Sequence, residues 1–164
     1  MLSAGTAEPS RSSRTAERGA GLRYLEYEDA CRAIDRARER AAALGDPQLA
    51  PQQRLEDCNE HLVKSGLATP AAAYEGETYP EMHVKAAVLT LAFARLQRCP
   101  DGNKRVAYIL MLAFLAINGY WVEADQEEAA DVLLAATLEP ADDQARASLA
   151  AWIQVKMHLI EMPE

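Results

Sequence analysis

The run from Asn103 to Ile117 carries Val106, Ala107, Ile109, Leu110, Leu112, Ala113, Phe114, Leu115 and Ile117, and these leave it no polar face beyond its first turn. A helix that is apolar all round has to be wrapped by other elements, because any face left in water would expose large side chains. Ala is abundant, the apolar fraction is 49%, and Gly and Pro number only eight each, a balance that favours helix over sheet. The expectation is an all-α fold, a compact bundle of about six to seven helices around a central apolar helix at about 103–117.

Flanking segments supply the wrapping. Ala30, Ile34, Ala37, Ala41 and Leu44 recur at spacings of three and four, which predicts a helix from Tyr27 that Gly45-Asp46-Pro47 ends. A second helix is expected over about Gln52 to Lys64, with Leu55, Cys58, Leu62 and Val63 inward and Ser65-Gly66 closing it. Residues Thr69 to Thr78 hold Pro and Gly without a sustained period and read as a loop or flap. Pro80 and Glu81 suit a helix start, and that helix should run to about Leu96, burying Val84, Ala87, Val88, Leu91 and Ala92. After the central helix, Asn118-Gly119 supplies left-handed conformers. Asp125 and Glu128 stand at capping-box spacing before another helix, and Pro140 precedes a last one bearing Leu149, Ile153, Met157 and Ile160. Trp121 and Trp152 read as core.

The length of 164 residues suits one domain, expected over 21–164. Residues 1–20 hold almost no large apolar side chain and read as a flexible tail, with Arg11, Arg14 and Arg18 solvated. With 25 acidic against 17 basic residues and no local basic patch, a nucleic-acid partner is not expected. No apolar run reaches the roughly 18 residues a membrane span needs, and the N-terminus lacks the apolar region of a secretory signal. Cys31, Cys58 and Cys99 have no C-x-x-C spacing and the three histidines are scattered, so neither a disulfide framework nor a zinc site is indicated. Reduced thiols and a cytoplasmic location are the expectation.

Chemistry concentrates where the central helix begins, at Pro100-Asp101-Gly102-Asn103-Lys104-Arg105. Free N–H groups and the positive end of the helix dipole meet there, Gly102 permits close backbone approach, and Lys104 and Arg105 add positive charge, all of which suits phosphate oxygens. Asp101 could hold Mg²⁺ bridging those oxygens, since that ion is commonly held by one or two carboxylates plus the substrate's phosphates. The plainer alternative is that Asp101 caps the helix, Gly102 turns the chain and the two cations are solvated.

These residues resemble the Fic/Doc family, whose signature reads H-x-F-x-(D/E)-G-N-(G/K)-R at a helix-loop-helix junction. Asp101 to Arg105 matches its second half. Leu25-Glu26-Tyr27, the flap-like Tyr74-Glu75-Gly76-Glu77-Thr78-Tyr79-Pro80, the helix Val84 to Leu96 and Phe114 to Tyr120 are similar to the smaller, Doc-like branch, so the resemblance covers about residues 23–138. It implies a compact helical bundle and transfer of a nucleotidyl or phosphoryl group, often from ATP, onto a protein hydroxyl. By position it implies Asp101 as metal ligand, Gly102 and Asn103 shaping an anion hole, and Lys104 and Arg105 on the donor's phosphates.

The first half of the signature is different here: Gln97 stands at the position of the family's His and Cys99 at that of its Phe. Gln does not titrate, and a general base is commonly worth about 10²–10⁴-fold in rate. His83 lies roughly 20 Å before Gln97 along a helix, too far to replace it. Cys99, near a helix N-terminus and cations, reads either as a small apolar filler or as a nucleophile. Arg98 reads either as a further phosphate contact or as an exposed side chain. Tyr74, Glu75 and Glu77 read either as a flap that aligns a target segment or as an exposed polar loop. Three functions compete: a phosphate-binding Fic/Doc-like protein with impaired or altered transfer, an active transferase with a non-family base, and a non-catalytic interaction module related to toxin-antitoxin systems. The partners implied are a phosphate-containing small molecule with Mg²⁺, ATP or another nucleotide, and a protein target or antitoxin-like partner; a homodimer is compatible.

Overall fold

A computed structural model of the protein describes residues 21–74, 77–78 and 81–163. The tail expected over residues 1–20 lies outside the described residues, as do Glu75, Tyr79 and Pro80. Six α-helices occur among the described residues: α1 (Tyr27–Leu44), α2 (Glu60–Leu67), α3 (Met82–Ala94), α4 (Asn103–Ile117), α5 (Gln126–Leu138) and α6 (Asp142–Lys156). Two short antiparallel ribbons accompany them, β1 (Ala73–Tyr74) with β2 (Glu77–Thr78) and β3 (Tyr120–Val122) with β4 (Met157–Leu159). The all-α expectation holds.

The centre is shared by two helices rather than held by one. α3 and α4 pack on each other, and Leu89, Phe93, Val106, Leu110, Met111 and Phe114 are completely enclosed between them and their neighbours. α6 lies across α3 with Leu149 and Ile153, while α1 covers α4 with Ala30 and Ile34. The buried face of α3 is therefore broader than its predicted stripe. It adds Ala86, Leu89, Thr90 and Phe93, whereas Val84, Val88 and Leu91 are only half-buried. Burial of Lys85 is tolerated because its Nζ donates to the Pro70 carbonyl at 3.1 Å and lies 5.6 Å over the Tyr24 ring.

Three elements depart from the sequence reading. The helix expected over Gln52 to Lys64 is instead a 3₁₀ turn, Leu55–Asp57, followed by α2. Cys58 and Asn59 are extended between them, and the Asn59 side chain accepts the Leu62 N–H at 3.1 Å as the N-cap of α2. That break rotates Leu62 outward, to 42% exposed, and α2 continues through Gly66 instead of closing there. The reason is contact: a Cβ at Gly66 would meet the Phe93 ring at 2.8 Å, so only Gly lets α2 approach α3 this closely.

The last helix ends at Lys156, and Met157 enters β4 opposite Val122. The β-prone Tyr120-Trp121-Val122 offers an edge whose N–H and C=O groups this pairing satisfies. Trp121 is consequently not core. At 47% exposed it lies on the outer side of the ribbon, its ring 5.1 Å from that of His158. Trp152 is half-buried and donates its Nε1–H to Glu128 Oε1 at 3.1 Å. At the end of α4 the left-handed residue is Gly119 (φ 87°). Asn118 keeps φ −100° and instead uses its side-chain amide to donate to the Arg23 and Phe114 carbonyls.

Candidate anion-binding site

The turn between α3 and α4 is held by its own side chains. Asn103, the first residue of α4, accepts the Cys99 N–H on Oδ1 at 3.0 Å and donates from Nδ2 to the Cys99 carbonyl at 2.9 Å. Both polar groups of Cys99 are thereby satisfied within a loop that has no regular ladder. Gly102 takes φ +69°, and its carbonyl accepts the Val106 N–H at 2.9 Å to start the helix. The Asp101 carboxylate accepts the Gly102 N–H at 2.7 Å, and no side chain caps α4. The plainer reading of Asp101 as helix cap does not describe this turn: the carboxylate holds Gly102, and among the described residues no side chain caps the first N–H groups of α4.

Lys104 and Arg105 are exposed on the first turn of α4 and have no ion-pair or hydrogen-bond partner among the described residues. Two adjacent unpaired cations are notable in a chain of net charge −8. Together with Leu49, Tyr108, Ile109 and Leu133 they line a cavity of about 660 Å³ between the start of α4 and α5. That volume falls in the range of small-molecule sites. Burial, with Glu128 and Asp125 nearby, pushes the Tyr108 hydroxyl above its ordinary pKa.

Several sequence-predicted roles resolve differently. Cys99 is buried and disulfide-bonded to Cys58, with Cα atoms 4.8 Å apart, so it is neither a free apolar filler nor an available nucleophile. The expectation of three reduced thiols fails for this pair, while Cys31 is free and buried. The bond spans 41 residues, a connectivity that cysteine spacing does not encode. Arg98 is half-buried and tied down on the protein side. It donates to the Ala92 carbonyl at 2.7 Å and the Leu62 carbonyl at 2.8 Å and lies 5.8 Å over the Phe93 ring. Gln97 is exposed in the turn. His83 pairs with Glu81 at 2.9 Å on the first turn of α3. Tyr74 and Glu77 face each other in register across β1 and β2, so the flap is a hairpin; Glu75 lies outside the described residues.

The segment that buttresses the turn carries no motif of its own. Gln53 donates its side-chain amide to the Asp101 carbonyl, and Pro51 stands against Gly102. Neither residue carries a local signal, because the contact joins positions about fifty apart along the chain. Among the described residues no three His, Cys, Asp or Glu side chains cluster as a metal site, and no described helix is long and apolar enough to cross a membrane. A divalent ion at the turn would rest on Asp101 alone plus oxygens of a ligand, a donor set that suits Mg²⁺ and not a site built of protein ligands alone.

These features define a helical domain in which a distant loop buttresses the turn that starts α4. Residues 24–115, more than half of the chain, match the family described as the Fic/DOC family, and the chain belongs to that family. It is 40% identical over 65 residues to a protein named Toxin Doc from Mycolicibacterium smegmatis, a match covering 39% of this chain. The chain spans 50% of the length of that relative. No solved structure matches it.

Proposed function

We propose that this protein is a Doc-like member of its family that binds a nucleotide with Mg²⁺ at the Asp101–Arg105 turn, and that its transfer reaction is impaired or altered because Gln97 stands at the position of the family's His. The observation that carries the reading is the pair Lys104 and Arg105, exposed on the first turn of α4 and without a partner among the described residues, beside N–H groups that no described side chain caps. Isolated surface cations are ordinary. Two of them, at a helix N-terminus whose loop is cross-braced by Asn103 and opens on a 660 Å³ cavity, form a pre-organised place for phosphate with room for an attached group. Asp101 would hold the ion through its remaining carboxylate lone pairs, and the ion would neutralise phosphate charge.

Calorimetric titration with ATP and Mg²⁺ is expected to give binding that Arg105→Ala abolishes. Absence of heat with ATP, GTP and inorganic phosphate would remove the proposal. Incubation with labelled ATP and cell lysate separates the chemical readings: label transferred by Gln97→His and not by the wild type supports impairment, whereas label from the wild type supports an active transferase with another base. A relative named as a toxin also favours an antitoxin-like protein partner for this chain.

A further inference from the structure

We propose that the Cys58–Cys99 disulfide is a redox clamp on the anion-binding turn, so that reduction by a dithiol weakens phosphate binding and reoxidation restores it. This rests on the function proposed above for the turn. Cys99 has its N–H and its carbonyl both bound by the Asn103 side chain, so its backbone position is transmitted directly to the first residue of α4. Cys58 is the extended residue that ends the 3₁₀ turn, and Asn59 after it caps α2. One covalent bond thus joins the starts of two helices.

The same junction is crossed by three weaker ties. Arg98 donates to the Leu62 carbonyl, Gln53 donates to the Asp101 carbonyl, and Gly102 packs on Pro51. Each is a single hydrogen bond or contact that can open and close. The disulfide closes a 41-residue separation and is the one covalent tie across the junction, so it limits the independent movement of the two segments most. With it cut, residues 51–62 and 97–102 keep only noncovalent ties, and the start of α4 is held less firmly.

The exchange chemistry is complete with a dithiol reductant. One thiolate attacks Cys58 Sγ, on the slightly more exposed of the two buried residues, at 6% against 3% for Cys99. The S–S bond breaks and its electron pair leaves on Cys99 Sγ, which takes up a proton. The second reductant thiol, as its thiolate, attacks the mixed disulfide, releases Cys58 as a thiol and leaves the reductant as its own disulfide. Two electrons and two protons pass to the protein. Cys99 is the better leaving group because it lies just ahead of the α4 N-terminus and of Lys104 and Arg105, which favour an anionic sulfur.

The test compares the full chain, oxidised, reduced with dithiothreitol and reoxidised with glutathione disulfide, with thiol state read by alkylation and mass spectrometry and binding read by calorimetry with inorganic phosphate and with Mg²⁺-ATP. The expected result is affinity about tenfold weaker after reduction and recovered on reoxidation. Cys58→Ser should be weak in both conditions. Equal affinity in verified oxidised and reduced states overturns the clamp, and so does recovery of Cys58 and Cys99 as free thiols from protein prepared without reductant. If the oxidised protein binds neither probe, the functional proposal has failed, and amide hydrogen exchange then decides the clamp separately. Faster exchange over 97–106 and 54–60 on reduction, with 145–153 unchanged, supports it; no local change overturns it.

Discussion

Gly102 stands against Pro51 so closely that a Cβ added to it would lie 3.2 Å from the Pro51 Cβ, and it does so with φ +69°. Two costs are combined at that position, and Gly45 separates them: it shares the left-handed conformation at φ +67° but has open space around it. A non-Gly residue in that conformation costs about 1–2 kcal/mol. Gly45→Ala should therefore lose about 1 kcal/mol in urea unfolding and keep Mg²⁺-ATP binding. Gly102→Ala should lose more, because the buried Pro51 has to give way, and should weaken binding. Equal losses for the two variants would mean that the Pro51 contact contributes nothing.

Asn103 offers a way to separate stability from anion binding. Asn103→Ala leaves the Cys99 N–H and carbonyl without their partners, and an unsatisfied buried polar group costs about 1–3 kcal/mol. Asn103→Asp keeps an acceptor for the Cys99 N–H but places a negative charge on the first turn of α4. That charge favours the helix dipole and repels phosphate. The expected order is therefore Ala below Asp in unfolding midpoint, but Asp no better than Ala in phosphate titration. An Asp variant that binds phosphate as the wild type does would show that the ligand does not approach this turn.

The parts of this fold that were legible in the sequence are those with a local cause. The apolar run of α4 and the Asp125 cap, whose Oδ1 accepts the Glu128 N–H at 2.8 Å, follow from residues a few positions apart. So does the turn itself, with Gly102 as its left-handed residue. What was not legible depends on distant partners. The Cys58–Cys99 bond, Gln53 on Asp101, Arg98 on Leu62, and β4 forming against β3 are all long-range and leave no periodicity. Gly66 shows the limit most clearly. A Gly after Ser near the end of a periodic stretch reads as a stop, yet it is a contact point whose meaning is set by Phe93.

Gly66→Ala tests that contact. Ala is the better helix former by about 1 kcal/mol, which favours the variant. Against this, the new methyl would stand 2.8 Å from the completely buried Phe93 ring and 3.0 Å from the Arg98 Cδ. Overpacking of that kind costs about 1–3 kcal/mol, so the net effect should be destabilising. Chemical denaturation of the variant should show a lower midpoint. A midpoint equal to or above that of the wild type would place the Phe93 ring in a softer environment than its burial indicates.

Glu128 joins α5 to α6 by accepting from Lys156 at 2.8 Å and from Trp152 at 3.1 Å. The bond from Lys156, then that from Trp152, holds the Glu128 carboxyl below its ordinary value, and Glu128 in turn holds the Lys156 ammonium above its own. A carboxyl lowered in the folded state contributes stability that is present above the unfolded value of about 4.3 and lost as pH falls through the folded value. An ammonium raised in the folded state contributes stability that is full below about 10.4 and lost as pH rises through its folded value. The pair should therefore stabilise between those limits. Glu128→Gln keeps an acceptor for Trp152 but removes the charge. Its unfolding midpoint should lie below that of the wild type across neutral pH, with the gap closing in acid and again in strong alkali. Salt should narrow the gap as well, since both side chains are about one-third exposed, at 31% and 34%. Curves that stay parallel from acid to alkali would assign the loss to packing around Trp152 and not to the ion pair.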